Sequence, residues 1–207
     1  MKKAKSKPAQ LGRPRSNAAV SHTAIMDAVY ELLKEKPARD LTMDAVAKRA
    51  KVGKPTLYKW WPSKAALILT MFHERLGATL ETPKTGTAEK ALRARMKHLI
   101  VECNGLFGKV VADLLAEGQG DASILKDLYE KHIRMRRAST TADIERGIAS
   151  GELSADTDPE LLMDAVFAPV YFRLLLRFEP LTEAYGNHLI DQALRGVRGR
   201  KKGLVKA

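Results

Sequence analysis

Residues 42–67 read TMDAVAKRAKVGKPTLYKWWPSKAAL. Thr42 is a good N-cap for a short helix that carries Met43, Val46, Ala47 and Ala50 on one face. Lys51-Val52-Gly53 is long enough only for a tight turn. Pro55 sits in the first turn of a second helix, where its missing N–H costs nothing, and Pro62 ends that helix. Two short helices across such a turn have the spacing of a helix-turn-helix over about residues 42–61. Ala45 to Ala47 supply small residues where the helices cross, Val52 anchors the turn and Leu57 anchors the second helix. Lys54, Thr56, Tyr58 and Lys59 are then free to face outward. An α-helix fits the major groove, where such polar and basic side chains reach base edges and phosphates.

The charge distribution agrees with that reading. The 207-residue chain has 36 Lys and Arg against 24 Asp and Glu, a net charge of +12. Residues 1–64 hold 15 basic and 5 acidic groups, whereas residues 65–197 hold 16 and 19. The last ten residues add 5 basic groups and no acidic one. A basic first third on a near-neutral body is the footprint of a polyanion-binding head. A merely solvated basic surface is the blander account of the same charges.

Outward from the motif, every periodic segment is helical. A helix opening at Ser21 or Thr23 carries Ile25, Ala28, Val29, Leu32 and Leu33 inward and stops before Pro37. Ser63 caps a fourth helix with Leu67, Ile68, Met71, Phe72, Leu76 and Leu80 at helical spacing. Beyond the Thr82–Gly86 break come helices over Thr87 to Cys103 and Leu106 to Glu117. A single long helix is expected from Asp121 to Ser150, with Met135, Ala138 and Ala142 on its apolar face. Asp158-Pro159 opens a helix that is apolar nearly all round and kinked at Pro169, and Thr182 caps the last one. No run alternates as a strand, so the expected fold is all-α.

The motif resembles the DNA-binding domain of the TetR family of bacterial transcriptional repressors. The resemblance runs from about Ser21 to Met71 and rests on Thr56-Leu57-Tyr58, the Trp60-Trp61 pair, Pro62-Ser63-Lys64 and Leu67. The stretch from Gly151-Glu-Leu through Asp158-Pro-Glu-Leu, Pro169, Tyr171, Arg173 and Glu179-Pro-Leu-Thr182 is similar, more weakly, to the C-terminal domain of one subgroup. Two positions depart from the family pattern: Lys51 stands where Gly is usual, and Gly53 where Ser is common. A left-handed residue at Lys51 costs ~1 kcal/mol relative to Gly, and Gly53 is a weaker cap than Ser.

Residues 1–20 lack apolar periodicity and are expected to be a flexible basic arm, with a basic tail at 198–207; the resemblance implies a three-helix DNA-binding domain at 21–68 and a helical ligand-binding and dimerisation bundle at 69–197. By position, Lys54, Thr56 and Lys59 would face the groove, with Pro55 in apolar contact. Thr42 and Tyr58 would bind phosphates, Lys64 would add its charge at a helix N-terminus, and Trp60 would lie at the groove edge or in domain packing. Gly12-Arg13-Pro14-Arg15 is similar to the core of an AT-hook, whose arginines lie in the minor groove; a soluble basic tail is the rival account. Met71, Met96, Cys103, Phe107, Met135, Phe167 and Tyr171 could line a ligand pocket, although such side chains are more often plain core. Leu174, Leu175 and Leu189 are candidates for an interface with a second copy.

The implied function is a sequence-specific regulator, a homodimer released from a palindromic duplex operator by an unidentified small-molecule effector. Catalysis has little support. No phosphate loop occurs, and Gly118-Gln-Gly120 lacks the rest of such a pattern. His98 and Glu102, one turn apart, do not make a metal site. Cys103 alone allows no intramolecular disulfide, and no cofactor motif is evident. The longest apolar runs fall far short of the ~20 residues a membrane span needs, so a cytoplasmic protein is expected. Two other readings stay open: a basic architectural nucleic-acid binder without a ligand, and a small helical enzyme or carrier with an incidental basic end.

Overall fold

The computed structural model of the protein describes residues 15–76 and 86–197. Arg13, Leu80 and the basic tail at 198–207 lie outside the described residues. Among the described residues ten α-helices follow one another: α1 (Arg15–Glu35), α2 (Met43–Ala50), α3 (Lys54–Trp60), α4 (Lys64–Leu76), α5 (Ala88–Asn104), α6 (Leu106–Gly118), α7 (Ala122–Leu128), α8 (Arg134–Ala149), α9 (Pro159–Leu176) and α10 (Glu183–Val197). A 3-10 turn at Ala38–Asp40 joins α1 to α2, and a π-helical turn at Tyr129–Ile133 joins α7 to α8. There is no strand among the described residues.

Local chemistry sets the element ends. Thr42 caps α2 by accepting from the Ala45 N–H at 3.2 Å, and Asp158 caps α9 by accepting from Glu160 and Leu161. Lys51 does adopt the left-handed conformation, with φ 55°. Helix α1 starts at Arg15, earlier than the expected Ser21 or Thr23, because Ser16 to Val20 contain no helix breaker.

The expected single helix from Asp121 to Ser150 is divided by the π turn. A π turn inserts one extra residue, which rotates every later side chain by about 100°. Met135, Ala138 and Ala142 are therefore exposed, while His132, Thr140, Asp143, Ile144 and Gly147 face inward.

Two apolar cores result. The first joins the head helices to α6 and α7: Val29, Leu57, Leu67 and Ile68 pack in one cluster with Phe107, Leu114 and Leu128. The second joins α5, α8, α9 and α10 through residues such as Leu92, Met96, Ile144, Val166 and Ile190. Helix α10 lies close on α5 because residue 186 is glycine: a Cβ there would stand 2.5 Å from Ile100 Cδ1 and from Met96 Cγ. On the head, the Arg49–Glu35 ion pair ties α2 to α1, and Arg75 pairs with Asp27 while stacking on Tyr30 to tie α4 to α1.

Candidate nucleic-acid interface and internal cavity

Helix α3 is fixed by one residue, Leu57, which is completely buried in the head core. Around it Lys54, Pro55, Tyr58, Lys59 and Trp60 are exposed and Thr56 is half-buried. This is the face distribution that a groove-reading helix needs. Lys59 Nζ lies 5.3 Å from the Trp60 ring centroid, so the largest exposed apolar surface of α3 sits beside a cation. Lys54 pairs with Asp44 of α2, and both are exposed enough for a phosphate to replace that carboxylate. Trp61 turns the other way; it is buried, and its Nε1–H donates to Thr70 Oγ1 at 3.1 Å. Thr42, at the N-terminus of α2, is exposed, and its oxygen accepts the capping hydrogen bond from Ala45.

Lys64 is placed differently from the exposed α3 cations. Its Nζ donates to both oxygens of Glu117 at 2.9 and 3.0 Å and to the Arg39 carbonyl at 3.2 Å. Two further contacts join the same surfaces. The Ala38 N–H donates to Asp113 Oδ2 at 2.9 Å, and Ser63 Oγ donates to Asp127 Oδ2 at 2.6 Å. Three carboxylates of α6 and α7 thus hold the loops that flank α2 and α3. Arg15 is the first residue of α1, and Arg13, the other arginine of the AT-hook-like segment, lies outside the described residues.

A cavity of about 240 Å³ opens between α5, the π turn, α8 and α9. Leu99, Ile133, Met163, Phe167, Ala168 and Tyr171 form apolar walls; Arg95, His98, Arg136, Arg137, Thr140 and Asp164 interrupt them. Phe167 and Tyr171 are among the pocket candidates read from sequence. The other five do not line this cavity. Met71 belongs to the head core, Met96 and Cys103 lie inside the second core, and Phe107 packs edge-on against Phe72 of α4. Met135 is exposed, for the reason given by the π turn. Apolar periodicity alone does not point to the polar wall. A usable signal was present in the i, i+3, i+4 set Arg95, His98 and Leu99 and in the Arg136-Arg137 pair one turn before Thr140.

The cations of the wall are held in place. Arg136 makes a bidentate pair with Glu102 at 2.6 and 2.8 Å, and His98 Nε2 lies 3.0 Å from the same carboxylate. Burial works against the Arg136 charge, but the hydrogen bonds it donates to Glu102, with that carboxylate's charge, outweigh it and raise its pKa. Arg95 pairs with Asp143, both buried, and Arg137 pairs with Glu160 and Asp164. Burial pushes the Cys103 thiol up to about 12, which leaves it inert as a nucleophile, and raises Tyr171. His132, buried against Phe107 with its Nε2 unpartnered among the described residues, is pushed down to about 3 by burial and by Arg136.

Of the interface candidates, Leu174 is buried in the second core and Leu189 packs against it, whereas Leu175 is 45% exposed. Adjacent residues on a helix point about 100° apart, which separates Leu174 from Leu175. Leu161, Phe172, Leu176 and Phe178 are exposed with Leu175, a large apolar set at α9 and its end. No described helix is long and apolar enough to cross a membrane.

Residues 25–71 match the bacterial regulatory proteins of the tetR family, and residues 82–193 match a tetracyclin repressor-like C-terminal domain. The chain is 33% identical over 187 residues to the uncharacterized HTH-type transcriptional regulator YdeS of Bacillus subtilis (strain 168), covering 90% of this chain and 93% of that one. It is 30% identical over 155 residues to a DNA-binding transcriptional repressor TetR of Mycobacteroides abscessus, covering 74% and 80%. Among solved structures, the TetR family transcription regulator SCO0332 superposes with a TM-score of 0.71 at 30% identity, covering 86% of this chain and 98% of that one.

Proposed function

From the premise that the chain belongs to the TetR family of bacterial transcriptional regulators, we propose that this DNA-binding protein is a cytoplasmic repressor. It sits as a two-fold dimer on a palindromic operator and is released when a small molecule fills the cavity between α5, α8 and α9. The family and the relatives are regulators, not enzymes. Members of the family bind DNA operators, dimerise and bind small-molecule ligands. The observation that carries the reading is α3 itself: Leu57 is fully buried while Tyr58, Lys59 and Trp60 stand out into solvent beside Thr56.

In this reading Lys54, Thr56 and Lys59 read the major groove, Tyr58 and Thr42 hold phosphates, and Pro55 and Trp60 give apolar contact. The exposed apolar side chains of α9 support a second copy docking there, because water contact over so large a patch is unfavourable. Two recognition helices must then meet successive major grooves about 34–36 Å apart. The carboxylates Asp113, Glu117 and Asp127 bind the head to α6 and α7, and α7 runs through the π turn into the cavity wall. A ligand that displaces Ile133, in the π turn, therefore moves the surface on which the head rests. Its leverage is its differential affinity for the two forms, typically ~1–3 kcal/mol.

The test is selection of genomic fragments on the purified protein, followed by anisotropy titration of the selected site across salt. About 4–8 phosphate contacts per dimer give a log–log slope near −4 to −7, with binding tighter than to random duplex. Equal affinity for selected and random DNA would instead support an architectural binder. Deleting the gene should raise transcription from the selected site, and a fall there would mark an activator.

A further inference from the structure

Resting on the reading of the cavity as the effector site, we propose that the effector is an uncharged, predominantly apolar molecule with a single hydrogen-bonding group. The cavity presents guanidinium groups, which at first sight suit an anion. Each of them already has its anion. Arg136 is gripped at both terminal nitrogens by Glu102, which is 5% exposed. Arg95 donates to Asp143 Oδ2 at 3.0 and 2.6 Å, with Asp143 also buried and shared with Arg146. Arg137 is shared between Glu160 and Asp164. Around the wall, four arginines therefore meet four carboxylates.

An anionic ligand could reach a guanidinium only as a second negative charge beside its carboxylate, or by displacing that carboxylate. At Arg136 and Arg95, displacement strands Glu102 or Asp143 in the interior without a counter-charge, the costlier state of a buried pair; at Arg137 the exposed Glu160 and Asp164 remain beside the guanidinium as competing anions. A cationic ligand meets the mirror problem, since Asp164, the one carboxylate of the lining, is held by Arg137. A neutral ligand leaves all these pairs intact and covers Leu99, Ile133, Met163 and Phe167. Tyr171 lines the cavity, and its hydroxyl can donate to one carbonyl or accept from one hydroxyl of the ligand. The space of about 240 Å³ equals that of roughly eight waters at ~30 Å³ each, which suits a one- or two-ring skeleton.

The experiment compares two probes of one shape and different charge, 2-acetylnaphthalene and 2-naphthoate, by calorimetric titration of the full chain at neutral pH. The ketone is expected to bind more tightly by about tenfold or more. In Glu102→Gln, whose folding is checked by circular dichroism, Arg136 loses its anion and the preference should shift toward naphthoate by about tenfold or more. Ala168→Trp, at an exposed position of the lining, should remove binding of the ketone and needs no change in the core. Naphthoate binding as tightly as the ketone, with both lost in Ala168→Trp, overturns the neutral-ligand proposal and leaves the cavity as the effector site. Ketone binding that Ala168→Trp does not alter overturns the assignment of the cavity itself. A ketone that fails to bind up to its solubility limit overturns the proposed class.

Discussion

Lys64 of α4 and Glu117 of α6 are 53 residues apart in sequence, and their side chains meet at 2.9 Å in a half-buried ion pair. A lysine at that position resembles a phosphate anchor in the linear sequence. In the folded chain it anchors the head to α6. The two roles separate experimentally. Loss of a pair at this depth costs about 1–3 kcal/mol, between exposed and buried pairs, whereas loss of a phosphate contact lowers the salt slope by ~1. Lys64→Ala should therefore lower the melting temperature and leave the salt slope of operator binding unchanged. A normal melt with a shallower slope would return Lys64 to the phosphate backbone.

The recognition face gives a contrast between specificity and affinity. Thr56→Ala and Lys59→Ala should each cost ~1–3 kcal/mol at a contacted base pair and relax sequence preference there. Tyr58→Phe should weaken binding to selected and random duplexes alike, since it removes only a hydroxyl from a phosphate. Competition titrations with single-base operator variants measure the difference. If all three variants lose affinity uniformly across sequences, α3 presents another face to the groove.

The α2–α3 turn can be improved. Lys51 is held at φ 55°, so Lys51→Gly should stabilise the head by ~1 kcal/mol. At Gly53 an added Cβ would meet Pro55 Cδ at 3.6 Å and Thr56 Oγ1 at 3.9 Å, both ordinary contacts, and the extended backbone suits a cap. Gly53→Ser should therefore add a few tenths of a kcal/mol. Denaturant midpoints of the two variants check both values; destabilisation by Gly53→Ser would mean that the hydroxyl does not reach the α3 N-terminus.

Why these local features were legible, and others were not, follows from the range of the forces involved. The caps at Thr42 and Asp158 and the left-handed Lys51 are decided by neighbours within one turn. The π turn is not. Tyr129 to Ile133 have ordinary helical composition, and one inserted residue there moved Met135 from the expected core to the surface. The cavity was equally hidden. Its polar wall depends on Glu102 facing Arg136 and Asp143 facing Arg95 across separate helices, 34 and 48 residues away.

His132 makes stability depend on pH. In the folded chain its pKa is pushed down to about 3, against about 6.5 when unfolded. Below the unfolded value the unfolded chain takes up a proton that the native chain refuses, so acid favours unfolding. The contribution is fully present at neutral pH and is lost as pH falls from about 6.5 toward 3, at up to ~1.4 kcal/mol per pH unit. Denaturant titrations at pH 7 and pH 5 should cost the wild-type chain roughly 2 kcal/mol more than His132→Phe, which keeps a ring against Phe107. Equal losses in the two proteins would place the acid sensitivity in the paired carboxylates instead.

The proposed dimer rests on which leucine faces outward. Leu174 is 8% exposed and Leu175 45%, so one belongs to the protomer's own core and the other to a surface shared with Phe172 and Leu176. A charge at each position therefore has a different consequence. Leu174→Lys buries an unpaired ammonium in the second core and should unfold the C-terminal helices. Leu175→Lys leaves the protomer folded and places like charges against each other across a two-fold axis, where the same patch meets itself. Sedimentation should then find monomers with unchanged helical content. Operator binding should fall sharply, because a single head gains contacts in only one half-site and loses the second groove about 34–36 Å away. A monomer that still binds the full operator with wild-type affinity would remove the reason for a ligand to act through subunit geometry. A Leu175→Lys chain that stays dimeric would place the two-fold contact on another face.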